Sequence, residues 1–379
     1  MTNPLRSLEA EGQAVWLDYL HRKILDDGEL KRLIESDGVT GLTSNPSIFE
    51  KAIGDGDAYD ERLTALLKDD KASPTDLYER LAVADIQDAA DQLRPVYDRL
   101  GGKDGYVSLE VSPTLAMDTD GTIAEARRLW ATVDRPNLMI KVPGTVPGVP
   151  AIRQLIGEGI NVNVTLLFGL DAYLRVAEAH TAGLEALKAA GGDPARVHGV
   201  ASFFVSRIDT KIDAEIDRRL ADGGAEGDDH HLAGLRGKVA IANAKVAYQH
   251  YLSHIDAPRW KALAAAGASP QRLLWASTGT KDPAYPDTLY ADALIGPETV
   301  DTMPPKTMDA FRDHGKASAS LTADVDEARQ VLARAERAGL DLAGVTDTLV
   351  VEGVKQFADA FDALIGAVAA KRTRILGER

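Results

Sequence analysis

Cysteine is missing altogether from this chain of 379 residues. Its absence excludes disulfides, thiolate zinc sites, cysteine nucleophiles and cysteine-ligated iron–sulfur clusters. Long apolar runs are missing too, since nothing approaches the roughly 18 consecutive residues of a membrane-spanning helix. The opening stretch MTNPLRSLEAEGQ has no apolar core of the signal-peptide kind. We therefore expect a cytoplasmic protein without a membrane partner. Positive charge is scarce, with 43 Lys and Arg against 58 Asp and Glu and a net charge of −15, which argues against nucleic acid. A small anionic substrate stays open, because a site needs only a few local cations. No GxGxxG turn follows an apolar run, so the fingerprint of a dinucleotide fold is lacking. The DDHH string at Asp228–His231 looks metal-like, but four consecutive residues in a Gly-rich stretch cannot converge on one ion. It reads as part of a solvated surface loop over 222–231, and we expect neither a metal site nor an organic cofactor.

What is present is alternation. Short apolar runs at 14–18, 39–44, 106–111, 138–142, 160–166, 200–205, 273–277 and 293–296 read as strands. Helical periodicity fills 77–93, 122–131, 150–157, 170–189, 205–220, 235–255 and 305–314 between or after them. Strands alternating with helices mean a parallel sheet. Eight of them fit a closed (β/α)8 TIM barrel of α/β class better than an open doubly wound sheet. Val350, Val354, Phe357, Phe361, Leu364 and Val368 recur at helical spacing, and Lys371, Arg372 and Arg374 follow. These predict a long C-terminal helix over about 346–372, packed on a single barrel domain spanning 1–379.

The strands carry polar residues where fully buried strands should be apolar. Side chains alternate along a strand. In NVNVTLL, Asn161, Asn163 and Thr165 therefore share one face; in YVSLEVS, Ser108 and Glu110 do; in ASFFVSR, Ser202 and Phe204 do; in VTGLTSN, Thr43 and Asn45 do. Lys141 interrupts LMIKVPG. In a barrel this set points inward near the C-terminal strand ends, where barrel active sites sit. A lysine in an apolar strand should lose part of its proton affinity, and a neutral amine attacks carbonyls. Each residue also has a plainer reading. Lys141 fits a strand-end lysine that reaches water or a carboxylate, and Glu110 a structural ion-pair partner. Asp18 fits a solvated helix residue and Asn45 a turn residue before Pro46. Convergence of Glu110, Asp18, Asn45, Asn163 and Thr165 on Lys141 favours the chemical reading. Arg207, three residues past Phe204, supplies a cation for an anion. Ser277 and Lys281 lie in ASTGTKDP, a hydroxyl-rich turn that either cradles phosphate or is only a solvated loop.

Taken in order, GLTSNPSIFEKAI, SLEVSP, NLMIKVPGT, INVNVTLLFGLDAY and ASFFVSRID resemble the transaldolase family. ASTGTKDPAYPDTLYADALIGPETVDTMPP resembles the longer subgroup found in plants and many bacteria. The resemblance implies a (β/α)8 barrel that moves a dihydroxyacetone unit between sugar phosphates through a lysine Schiff base. It passes from sedoheptulose 7-phosphate to glyceraldehyde 3-phosphate, giving erythrose 4-phosphate and fructose 6-phosphate in the non-oxidative pentose phosphate pathway. It implies no metal or cofactor, phosphorylated sugars as partners (a ketose donor, an aldose acceptor), and it is compatible with a homodimer.

Residue by residue, the resemblance makes Lys141 the Schiff-base lysine, Glu110 the acid/base acting through a water, and Thr165 the holder of that water. Asp18 takes the proton of the C4 hydroxyl. Asn45, Asn163 and Ser202 hold the three-carbon unit, and Arg207 holds phosphate. The shorter transaldolases carry an arginine in the phosphate loop where this chain keeps Ser277 and offers only Lys281 further along. A lyase like the fructose 6-phosphate aldolases is the alternative on the same barrel. Those enzymes are shorter and carry Gln at the place of Glu110 and Tyr at that of Phe204. A sugar-phosphate-binding barrel without activity would be expected to have lost Lys141 or Glu110.

Overall fold

The structure, a computed structural model, describes residues 3–54, 56–69, 72–222 and 232–377. Eight parallel strands close into a barrel in sequence order: β1 (Gln13–Asp18), β2 (Val39–Thr43), β3 (Tyr106–Glu110), β4 (Leu138–Pro143), β5 (Val162–Leu167), β6 (Gly199–Phe204), β7 (Arg272–Ala276) and β8 (Thr299–Met303). Among the helices that follow the strands are α1 (Pro46–Gly54) and α2 (Pro74–Arg99) after β2, α3 (Thr119–Val133) after β3 and α4 (Gly148–Gly157) after β4. Then come α5 (Leu170–Ala189), α6 (Ser206–Ala221), α7 (Val239–Asp256), α8 (Pro305–His314) and the terminal α9 (Leu342–Gly377). The predicted loop at 222–231, with the DDHH string, lies outside the described residues apart from Asp222.

Local chemistry sets several of these boundaries. Asn45 caps α1, its Oδ1 accepting the Ile48 N–H at 3.1 Å, with Pro46 at the first helical position, where a missing N–H costs nothing. Ser73 and Asp76 form a reciprocal capping box on α2. That helix runs on through Pro95 to Arg99, past the 93 read from periodicity, because a proline in the last turns removes only one hydrogen bond.

The eighth strand is a correction. The apolar run at 293–296 is not a strand; Leu294 and Ile295 are buried in the connection, and β8 is Thr299–Met303. A buried aspartate, Asp301, interrupts the apolar pattern there, and its carboxylate accepts the Thr278 hydroxyl at 2.9 Å. Thr278 thereby partners one oxygen of a buried carboxyl that no single-strand pattern reveals, while the other oxygen has no partner among the described residues.

The strand β5 carries an irregularity beside the polar face. Val164 pairs with Ala201 and Leu167 with Phe203, so β5 spends one more residue than β6 over that interval. The extra residue is Leu166, at φ 61°, a left-handed conformation that costs a bulky residue about 1–3 kcal/mol. No helix among the described residues is long and apolar enough to cross a membrane.

Candidate active site

At the C-terminal mouth of the barrel lies a cavity of about 880 Å³. Its wall takes Asp18 from the end of β1, Thr43 and Asn45 from β2 and its turn, Lys141 from β4, Thr165 from β5, and Ser202 and Phe204 from β6. Arg207, Ser277 and Lys281 complete it towards solvent.

Lys141 and Glu110 are partners in the β3–β4 register, and Nζ lies 3.3 Å from Glu110 Oε2. Both side chains are almost wholly buried. The amine also donates to the Ser44 carbonyl at 3.3 Å. Among the described residues Glu110 has no polar partner beyond this contact with Lys141; burial pushes its carboxyl up from the ordinary range, and the charge and hydrogen bond of Lys141 only partly counter this. The arrangement matches the plain reading of Lys141, a lysine paired with a carboxylate.

Asn163 is fixed at both ends of its amide, donating to Ser108 Oγ at 3.0 Å and accepting from Ser202 Oγ at 2.6 Å. Thr165 Oγ1 is buried with no partner, a group available to a ligand or water. Asp18 accepts the Thr43 hydroxyl at 2.6 Å, and Thr43 in turn meets Thr302 at 2.7 Å. Burial pushes the Asp18 carboxyl up, against opposing pulls from Thr43, Lys141 and Arg207. Asn45 is both the cap of α1 and a cavity residue. Asn161, on the same face by alternation, does other work: it ties β4 to β6 at the far end of the barrel, donating to the Pro136 and Leu138 carbonyls and accepting the His198 N–H.

The outer end is cationic. Arg207 lies in the first turn of α6, its guanidinium 5.2 Å over the Phe204 ring, and donates to Gln356 Oε1 at 3.0 Å. Burial pulls its proton affinity down, yet a guanidinium stays charged. Ser277 sits at φ 57°, its hydroxyl 3.0 Å from that of Ser206. Lys281 is exposed at the rim.

Sequence reasoning missed several lining residues. Lys51 lies within the quoted GLTSNPSIFEKAI string and Lys306 just past the misplaced eighth strand; both bring further cations to the wall. Tyr19, directly after Asp18, also lines it. From α9, Phe357 brings its ring centroid to 5.6 Å from Lys141 Nζ. Its place in the apolar stripe gave no hint of this, because a stripe says that a residue is buried and not against what.

Fold and cavity together define a class, a (β/α)8 enzyme with a lysine amine inside the C-terminal mouth of its barrel. A family profile described as Transaldolase/Fructose-6-phosphate aldolase matches residues 15–368, and the chain belongs to that family. A transaldolase of Trichodesmium erythraeum is 47% identical over 373 residues, covering 98% of each chain. A transaldolase of Thermobifida fusca is 49% identical over 370 residues, 97% of this chain and 98% of that one. Transaldolase 1 of Streptomyces avermitilis is 50% identical over 366 residues, 96% and 94% respectively.

Proposed function

We propose that this protein is a transaldolase of the non-oxidative pentose phosphate pathway. It transfers a dihydroxyacetone unit from sedoheptulose 7-phosphate to glyceraldehyde 3-phosphate, giving erythrose 4-phosphate and fructose 6-phosphate. The observation that carries this reading is the buried Lys141–Glu110 pair, 3.3 Å apart on adjacent strands, with Lys141 in the wall of a cavity whose outer side is cationic.

On this reading the Lys141 amine adds to the ketose carbonyl. Glu110, whose proton affinity burial raises, delivers a proton as the carbinolamine oxygen leaves as water, and Thr165 holds that water. The resulting iminium is an electron sink. Asp18 accepts the C4 hydroxyl proton while the C3–C4 bond breaks; its electrons move into the iminium and leave an enamine on Lys141. Asn45, Asn163 and Ser202 hold the three-carbon unit. The aldose product departs, the acceptor aldehyde enters, and the steps run backwards to hydrolysis. Arg207 holds the phosphate with a charge-assisted pair, and Ser277 and Lys281 assist at the rim. The partners are phosphorylated sugars, and the enzyme works in the cytoplasm.

The lyase alternative of the same family is disfavoured by Glu110 and Phe204, which stand where the resemblance to fructose 6-phosphate aldolases asks for Gln and Tyr. Incubation with fructose 6-phosphate and borohydride, followed by peptide mass analysis, tests the assignment. The expected result is a reduced three-carbon or hexose phosphate adduct on Lys141; an adduct on another lysine, or none, rejects it.

A further inference from the structure

Two glycines bracket the β5 irregularity. Gly144, after β4, donates its N–H to the Thr165 carbonyl at 2.7 Å, and a Cβ there would run into the Leu167 side chain. Gly353 on α9 lies on the other side, where a Cβ would come within 2.7 Å of Leu166 Cδ2. Leu166 is itself buried, so its side chain has little room to retreat. Between the two glycines stands Thr165 with its unpartnered hydroxyl.

The extra residue has a geometric consequence. In a regular strand Leu167, two residues on from Thr165, would share the cavity-facing side. It pairs instead with Phe203, which lies between the cavity residues Ser202 and Phe204 and so faces away from the cavity. The left-handed turn at Leu166 thus sends Leu167 outside two residues after Thr165, which faces the cavity, and so anchors the strand just beyond the Thr165 hydroxyl. A strained conformation persists only where its surroundings hold it, and the surface seated on Leu166 is the bare backbone of α9 at Gly353. The same stretch of that helix meets Arg207 through Gln356, Lys141 through Phe357, and Lys211 through a 2.7 Å ion pair from Glu352.

We infer that Gly353 is a positioning residue: by close contact of the C-terminal helix with Leu166 it sets the Thr165 hydroxyl where water is handled at Lys141. This deepens the function proposed above and rests on its reading of Thr165 as the holder of that water.

Gly353→Ala tests it. The rate of borohydride-trappable adduct formation with fructose 6-phosphate should fall about tenfold, since small misplacements at a reacting centre are costly. The inhibition constant of glucitol 6-phosphate, which has the phosphate and hydroxyls but no carbonyl, should stay within about twofold, the split expected when binding is intact and chemistry is not. Gly366→Ala on the same helix, where an added methyl meets nothing within 4 Å, should move neither quantity. Adding Leu166→Ala to Gly353→Ala should restore trapping, because the new methyl takes the volume the leucine vacates. An unchanged trapping rate in Gly353→Ala, an equal loss of trapping and inhibitor binding, or the same loss in Gly366→Ala overturns the inference. Should Gly353→Ala fail to fold, Leu166→Ala alone removes the contact from the other side and must slow trapping selectively, or the inference falls. Thr165→Val separates the two levels. Trapping at the wild-type rate there removes the water-holding role itself, while slow Thr165→Val beside fast Gly353→Ala rejects only the helix coupling.

Discussion

Glu110 and Lys141 stand opposite each other in the β3–β4 register, and the 3.3 Å between carboxylate and amine is a property of the sheet before it is a property of any reaction. Both residues sit one strand apart at the same height, so neither side chain needs a loop to reach the other. Such placement on rigid strands suits groups that must hold one geometry through several chemical steps.

Replacing either partner should separate nucleophile from acid. Lys141→Ala should abolish both sugar transfer and borohydride trapping with the fold intact. Glu110→Gln keeps the shape but cannot deliver a proton, and should slow trapping by about 10²–10³-fold, within the usual range for a lost general acid. Covalent trapping that survives Lys141→Ala would place the nucleophile elsewhere.

Arg207→Ala should raise KM for phosphorylated acceptors about ten- to hundredfold, the worth of a charge-assisted contact, and leave dephosphorylated sugars nearly unaffected. Lys281→Ala should act in the same direction but more weakly, since that side chain is exposed at the rim. Steady-state kinetics with matched phosphorylated and unphosphorylated aldoses decide it, and equal losses on both would make these residues structural.

Phe204→Tyr should shift the partition from transfer towards cleavage. The Phe204 ring packs on Phe168 and Arg207 at centroid distances of 5.1 and 5.2 Å and gives the cavity wall an apolar face. A hydroxyl there can hold water close to the enamine for protonation and release. Dihydroxyacetone freed from fructose 6-phosphate without acceptor should increase while transfer declines. A folded variant that releases no more than wild type would show that Phe204 does not govern the partition.

Asp301 should make stability depend on pH. Burial raises its carboxyl to about 7 from an ordinary 3.8, with the Thr278 hydroxyl pulling the other way. Below the lower value both folded and unfolded chains hold the proton and no penalty exists. Between the two values only the unfolded chain has lost it, so stability falls as pH rises, reaching a penalty of roughly 4 kcal/mol at most above the higher one. Asp301→Asn, whose side-chain oxygen still accepts from Thr278, should raise Tm relative to wild type at pH 8 and much less at pH 5. An equal difference at both pH values would mean that the aspartate does not titrate in this way.

Much of the protein was legible from one-dimensional pattern, and the reason is periodicity. Strand and helix repeats differ, so Lys141 and Glu110 identified themselves as polar intrusions into apolar strands, and Asn163, Thr165 and Ser202 as members of a polar face. Alternation by itself put all of these on the inside of a barrel once eight strands were counted. Where a strand hides a buried carboxyl, as β8 does with Asp301, the pattern points to the neighbouring apolar run instead.

Tertiary structure alone decided which distant segments meet. Phe357, Gln356 and Gly353 read as one stretch of an amphipathic helix, because the sequence records that such residues are covered and is silent on by what. Only closure of the chain brings that helix across the barrel mouth, against Lys141, Arg207 and Leu166. The left-handed turn at Leu166 is of the same kind: no local propensity of leucine favours it, and it exists because packing on both sides outweighs the backbone's own preference.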